Sequence, residues 1–268
     1  MITICLATFN GEKYLGAQLD SLFSQTFKDW TLLIHDDNST DNTVQIIYEY
    51  IAKFPNKIKF IDDALSYDSS SSNFNSLLKQ ASSEYVMFCD QDDVWREDKI
   101  ELTLLEMQKL QKLHKNEALM VFSNLSVVDE NCNMIAKSMW AFQKLNPSII
   151  YNLYDILALN VVSGCTIMIN KNAQDIVSPF PKNCIEHDHW MAVNIVKYGY
   201  ASFVNEPLMF YRQHEKNVIG SYDINIGYFM HKIKSLMLFK CKYSKFDFKI
   251  NLVRVFLKKL LLNFKRIL

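Results

Sequence analysis

The chain has 268 residues, 49% of them hydrophobic and 13% aromatic, with 29 basic and 29 acidic side chains. That length carries one good core plus an appendage, and the composition excludes a disordered chain. The zero net charge hides an asymmetry: from His231 onward 11 Lys and Arg accompany one acid, Asp247, which leaves 18 basic and 28 acidic residues, a net of −10, in the rest. The six cysteines form no C-x-x-C pair, so neither a zinc site nor a disulfide framework is expected, and their apolar surroundings suit a reducing cytoplasm. The N-terminus enters Ile2–Leu6 without a charged n-region or a long apolar h-region, so no signal peptide is expected. No window approaches the roughly 18 uninterrupted apolar residues of a membrane-spanning helix.

In chain order, residues 1–93 repeat a strand, a polar turn and a helical period. Ile2–Leu6 leads to Ala7-Thr8-Phe9-Asn10-Gly11 and a helix bearing Leu15, Leu19, Leu22 and Phe23. Thr31–Ile34 leads to Asp36-Asp37-Asn38-Ser39-Thr40-Asp41 and a helix bearing Val44, Ile47, Tyr48 and Ile51. Ile58–Ile61 leads to a Ser-rich segment over 65–72, read as a loop, and a helix bearing Phe74, Leu77, Leu78 and Ala81. Tyr85–Cys89 then stops at Asp90-Gln91-Asp92-Asp93. Strands alternating with helices imply βαβ units in a mostly parallel sheet, with ligands bound beyond the carboxyl ends of the strands. The turns after Leu6, Ile34 and Cys89 should converge on one crevice. The second half is more mixed: a helix over 97–113, strands at Leu119–Phe122 and Cys165–Ile169, helical spacing over Glu186–Val196, and closing strands at Ala201–Val204 and Leu208–Tyr211.

Each motif has a functional reading and a plain one. Three carboxylates at a strand end repel each other, and a hard divalent cation such as Mg²⁺ or Mn²⁺ bridging a diphosphate would relieve them. The plain reading is that Asp92 and Asp93 start the next helix, favoured by its dipole. Asp36–Thr43 fails as a calcium loop, because it lacks the glycine and has Tyr48 where the final glutamate belongs. Asp37 at a strand end is suited to accepting the N3–H of a pyrimidine, with Ser39 or Thr40 capping the next helix; a turn with a cap is the alternative. Ala7–Gly11 has one glycine where a dinucleotide fingerprint needs three, which disfavours a Rossmann oxidoreductase. Phe9 is placed either to stack on a base or to join the core. In Glu186-His187-Asp188-His189-Trp190 the two imidazoles at i and i+2 diverge on a helix, so a general base at Asp188 is favoured over a metal pair, with a helix cap as the other reading. Tyr211-Arg212-Gln213-His214, with Asn217, leaves a strand for a polar loop, where Arg212 is suited to phosphate oxygens and His214 to a metal or diphosphate.

Four stretches in this order, Ala7–Gly11, Asp36–Asp41, Asp90–Asp93 as a D-x-D motif and His187–Trp190, make residues 1–220 resemble the inverting family 2 glycosyltransferases of GT-A nucleotide-sugar (Rossmann-like) fold. With Asp-Gln-Asp-Asp-Val-Trp and Tyr-Arg-Gln-His the chain is similar to their rhamnosyltransferase-like branch in bacterial polysaccharide synthesis. The resemblance implies a nucleotide site at Ala7, Thr8, Phe9, Asn10, Asp37 and Asp90. It implies metal ligation of Mn²⁺ or Mg²⁺ by Asp92 and Asp90 with His214 as a further candidate, and Asp188 as the base on the acceptor hydroxyl. Arg212, His187 and Trp190 are candidates for diphosphate or acceptor contact. The implied donor is a dTDP- or UDP-sugar and the acceptor a glycan or lipid-linked saccharide. A glycine-containing turn common before Asn73-Phe74 is replaced here by serines.

Residues 221–268 read as a basic amphipathic helical extension. Val253, Phe256, Leu257, Leu260, Leu261 and Phe264 share one face, with Arg254, Lys258, Lys265 and Arg266 to flank it. An anionic membrane surface on the inner face of the cell membrane suits such a face, and packing on the domain or on a second copy is the alternative. Nucleic-acid binding is disfavoured by the acidic body. A sugar nucleotidyltransferase lacks its glycine-rich phosphate loop here, and a non-catalytic sugar-nucleotide-binding module stays open.

Overall fold

The computed structural model describes residues 1–63, 65–67, 69–181, 186–214 and 243–267. Asn217 and the tail up to residue 242, with the expected domain boundary at 220, lie outside these residues. Among them are strands β1 (Ile2–Thr8), β2 (Trp30–Asp36), β3 (Ile58–Ile61), β4 (Tyr85–Cys89), β5 (Val94–Trp95), β6 (Leu119–Val128), β7 (Met134–Ala136), β8 (Met168–Asn170) and β9 (Tyr200–Arg212). The helices are α1 (Leu15–Phe23), α2 (Thr43–Lys53), α3 (Ser70–Gln80), α4 (Lys99–Leu113), α5 (Met139–Phe142), α6 (Leu153–Ala158), α7 (Lys171–Val177), α8 (His187–Tyr198) and α9 (Leu252–Ile267).

The strands form one sheet in the order β3-β2-β1-β4-β8-β6-β9-β5, with β7 on β6. β1 to β4 are mutually parallel, and β6 and β9 run in their direction because β8 is antiparallel to both β4 and β6. The sheet is therefore mostly parallel. Alternation along each strand feeds two cores. Ile2, Ile4, Leu6, Met87 and Cys89 meet Leu15, Leu19, Leu22, Ile47 and Ile100 on one face. Cys5, Val86 and Phe88 meet Phe74, Leu77, Leu78, Ile156, Ala173 and Met191 on the other. β1 lies between β2 and β4, so the chain switches direction of winding at β1, where an open α/β sheet binds its ligand.

Four sequence expectations are corrected. The serine run is helical from Ser70: Ser69 Oγ accepts the Ser72 N–H at 3.2 Å and caps α3. Asp92 and Asp93 do not start a helix, because β5 intervenes, pairing with Phe210 and Met209, and α4 begins at Lys99. Cys165 and Thr166 belong to a one-turn 3-10 helix ahead of β8. The two closing strands are one strand, β9, whose register against β6 jumps from Val204 to Pro207, so the polar Asn205-Glu206 is a bulge rather than a turn.

The C-terminal segment returns to the body. Tyr243, Phe246 and Val255 are buried in the core, Phe246 stacks on Trp190 at 4.7 Å, and α9 lies against α6. No helix among the described residues is long and apolar enough to cross a membrane.

Candidate active site

The register pairs Thr8 with Asp36 and Leu6 with Cys89, so the loops after β1, β2 and β4 open at one level. The first two loops are laced together. Thr8 Oγ1 donates to Asp36 Oδ1 at 2.7 Å, and Asp36 also accepts the Ser39 N–H and hydroxyl at 2.7 and 2.6 Å. Asn10 sits at φ 47°, a left-handed conformation that asparagine tolerates. Its N–H donates to Ser39 Oγ and its Oδ1 accepts the Thr40 N–H, both at 2.8 Å. Asn10 is thus a strut between loops. Asp37 follows the strand end; its N–H donates to the Thr8 carbonyl at 2.8 Å and its Oδ1 accepts the Tyr67 N–H at 2.5 Å. Neither Ser39 nor Thr40 caps α2: its N-cap position is Asn42, and Asp41 just before it accepts the Thr43 N–H at 3.0 Å. Phe9, next to Ala7 and Thr8, is exposed and does not join the core.

Gln91, the middle residue of the D-x-D, carried no expectation. Its Oε1 accepts the Phe9 N–H at 2.8 Å and its Nε2 donates to the Phe9 carbonyl at 2.9 Å. The amide thus pairs with the backbone as a neighbouring strand would, fixing the acidic loop against the loop after β1. Gly11 leaves the room for it: a Cβ there would stand 2.3 Å from Gln91 Oε1. The only sequence signal was a glutamine between carboxylates, next to a loop with a single glycine.

The three acids divide their work. Asp90 is partly buried, and burial first, then the charges of Asp92 and Asp188, push its carboxyl up to about 7. Asp92 accepts from His214 Nε2 at 2.8 Å, with Tyr14 stacked on the imidazole at 4.9 Å. Asp93 is fully buried and accepts the Arg212 N–H at 3.2 Å, so it anchors β9 instead of capping a helix. Behind it Lys99, also fully buried, donates to the Cys165 carbonyl at 2.5 Å and lies 3.8 Å from the Trp95 ring centroid. Burial lowers this ammonium to about 8, and Asp93 and Asp90 partly offset that.

Donor chemistry decides which of these groups fit a metal. Asp90, Asp93 and Cys165 present ligand atoms within 4.8 Å of one another. That trio is a poor cation site, because burial pushes the Cys165 thiol far up and Asp93 is spent on Arg212 with Lys99 close by. Asp90, Asp92 and His214 offer better donors: two hard carboxylates, with an imidazole already 2.8 Å from Asp92. Mn²⁺ or Mg²⁺ suits that set. Arg212, expected at the diphosphate, is engaged inside the loop: its guanidinium donates to the Asp92 and Glu130 carbonyls at 2.8 Å each and covers the Tyr14 ring at 4.7 Å. It shapes the acidic loop.

The fourth stretch comes from the far side of the sheet. Asp188, in the first turn of α8, is partly buried, and burial raises its carboxyl to about 7 against the Asn160 side chain and the His189 N–H, which donates to Oδ1 at 2.5 Å. Its charge helps raise the Asp90 carboxyl, so the two acids lie near one another. His187 has a packing position: burial lowers it to about 4, Ser71 Oγ lies 3.3 Å from Nδ1, and Phe74 flanks the ring at 5.0 Å. Gly164 makes space for it, since a Cβ there would stand 2.6 Å from His187 Nε2. Trp190 is corrected from the crevice to the core, with its indole N–H donating to the Val177 carbonyl at 2.9 Å. The helical period that places Asp188 at the crevice turns Trp190 inward.

Comparison with known proteins agrees with this geometry. Residues 3–174 match the family model for glycosyl transferase family 2, a span holding the first three loops. The chain is 29% identical over 260 residues to the dTDP-rhamnosyl transferase RfbG of Shigella flexneri, covering 90% of this chain and 81% of that one. It is 26% identical over 207 residues to WfgD of Escherichia coli, a UDP-Glc:alpha-D-GlcNAc-diphosphoundecaprenol beta-1,3-glucosyltransferase, covering 76% and 73%. Among solved structures it resembles Staphylococcus aureus TarS 1-349 in complex with UDP-GlcNAc, with TM-score 0.61, 22% identity, and coverage of 99% of this chain and 72% of that one. It also resembles the mannosyltransferase PcManGT of Pyrobaculum calidifontis in complex with GDP-Man and Mn²⁺, with TM-score 0.65, 14% identity, and coverage of 97% and 69%. The loops at the switch point, the paired carboxylates and a family match over more than half the chain show that this protein belongs to glycosyltransferase family 2 and has its GT-A fold.

Proposed function

We propose that the enzyme moves a sugar, with inversion, from a dTDP- or UDP-linked donor, dTDP-rhamnose among the candidates, to a hydroxyl of a glycan or lipid-linked saccharide in cell-surface polysaccharide synthesis. The observation that supports it is the nearness of Asp188, in the first turn of α8, to Asp90 at the end of β4, close enough for the charge of one to raise the carboxyl of the other. RfbG and WfgD, by their names, use a dTDP-linked and a UDP-linked donor, and WfgD acts on a diphosphoundecaprenol-linked sugar.

The roles follow from position. Phe9 offers a stacking face to the base, and Asp37 an acceptor for its N3–H. Asn10 and Gln91 hold these groups in register with the acidic loop. Mn²⁺ or Mg²⁺ held by Asp90, Asp92 and His214 would supply Lewis-acid stabilisation of the charge that grows on the diphosphate. Asp188 takes the proton of the acceptor hydroxyl as its oxygen bonds to the anomeric carbon. The bond from that carbon to the diphosphate oxygen breaks on the opposite side, and the configuration inverts. A carboxyl near 7 is matched to this work, being half deprotonated at neutral pH and still basic enough to accept a proton.

The test is Asp188→Asn. Transfer should fall by roughly 10²–10⁴-fold, the usual loss of a positioned base, while donor affinity by calorimetry stays within about twofold of wild type. Transfer at near wild-type rate removes Asp188 from this role.

A further inference from the structure

Helix α9 has two faces that do different things. One docks on the body: Val255 is fully buried, Asn263 and Arg266 are buried beside it, and Arg266 Nε donates to the Gln143 carbonyl at 2.9 Å. The other faces outward. Val253, Leu257, Leu261 and Phe264 are 68%, 59%, 48% and 55% exposed. Spaced i, i+4, i+8 and i+11, they form one stripe roughly 16 Å long at 1.5 Å per residue. The same periodicity sets Arg254, Lys258 and Lys265 along one edge of it. Arg254 lies over the Tyr154 ring at 3.9 Å, and Lys258 pairs with Asp155 at 2.6 Å. Arg266, which the sequence placed on this flank, belongs to the docked face instead. The helix carries no acid.

The core contact is thus made without the stripe, so the stripe is not a piece of core turned outward. Four large apolar side chains in a row, edged by cations, match the boundary between headgroups and acyl chains of an anionic bilayer. Lysine and arginine there keep their stems in the apolar layer and their charges among phosphates. A second copy fits less well, since an isologous contact through this stripe brings together two basic helices with no acid on either. We propose that α9 lies flat in an anionic membrane surface, with Val253, Leu257, Leu261 and Phe264 inserted and Arg254 and Lys265 on lipid phosphates. This rests on the helix alone and holds whichever acceptor the crevice takes.

Co-sedimentation of the full chain with vesicles tests it. Wild type should pellet with phosphatidylglycerol–phosphatidylcholine vesicles and little with phosphatidylcholine alone. Leu257→Glu with Leu261→Glu should lower the partition coefficient about tenfold or more. Arg254→Gln with Lys265→Gln should lower it severalfold, an effect that salt reproduces in wild type. Both pairs are exposed, so thermal melts and Mn²⁺-dependent donor binding should stay as in wild type; Leu257→Ala with Leu261→Ala serves if the glutamates disturb folding. Equal pelleting of the stripe variants overturns the proposal. So does wild type that pellets with neither vesicle, or light scattering that shows a dimer which the glutamate pair dissolves. None of these results bears on Asp188, whose failure would be read in transfer rates.

Discussion

At Asp188, burial lifts a carboxyl whose proposed role requires its charged form, and this sets the sign of the pH response. The proton is held up to about pH 7, so the base is absent below that and present above it. Transfer at saturating donor and metal should therefore climb between about pH 6 and about pH 8 and level off beyond, as for any base whose pKa lies in that window. A profile flat across the range would assign the proton to another group. Asp92 tests a different link. Its carboxylate, not Asp93, faces His214, so Asp92→Ala should weaken donor binding in the presence of Mn²⁺ and leave the metal-free affinity unchanged. Calorimetry giving the same Mn²⁺-dependent affinity for both proteins would transfer the metal to other ligands.

Between elements, two side chains hold the acidic loop. Gln91 joins it to the loop after β1 through two hydrogen bonds of 2.8 and 2.9 Å. Each is worth about 0.5–1.5 kcal/mol, so Gln91→Leu should raise the donor KM about tenfold with a smaller effect on kcat. Gly11→Ala should do the same with Gln91 itself unsubstituted, because its Cβ would displace that amide. If KM holds in both variants, the bridge is not what positions the base. Lys99 supports the same loop from beneath, at the start of α4. Removing its charge leaves the Cys165 carbonyl unpaired and Asp93 without a nearby cation. Lys99→Met should lower stability by about 1–3 kcal/mol in chemical denaturation, the usual cost of leaving a buried acceptor without its donor. A change under about 1 kcal/mol would mean that the charge is dispensable. Neither side chain was legible in the sequence. The strand ends were, because apolar runs stopping at polar turns need no partner to be recognised, and Asp37 and Asp90 followed from them, while Asp188 followed from the start of a helical period. Gln91, Lys99 and Gly164 act only through residues far along the chain, and no local pattern reports that. The β9 bulge was misread for a related reason: Asn205-Glu206-Pro207 has the composition of a turn, and only pairing with β6 keeps it extended.

At the scale of the whole molecule, the crevice lies between halves built on different rules. β1 to β4 and their helices form the parallel half that brings Phe9, Asp37 and Asp90 together. The mixed half supplies Asp188 from α8 and His214 from beyond β9. The two meet at Asp90, whose carboxyl is raised by burial and by the negative charges of Asp92 and Asp188. A donor with its metal would both neutralise those charges and touch both halves, so it should stabilise the global fold more than either component alone. At about 100 times Kd a ligand adds about 2.7 kcal/mol. For a chain of this size that corresponds to a rise in Tm of roughly 5–10 °C. Melts with UDP- and dTDP-sugars, each with and without Mn²⁺, should show that rise only when the matching sugar nucleotide and metal are present together. Mn²⁺ alone should give a smaller rise, abolished by Asp92→Ala. A full shift from the nucleotide sugar in EDTA would show that the carboxylate cluster is balanced by protein groups, and the metal ligation by Asp90, Asp92 and His214 would fall with it.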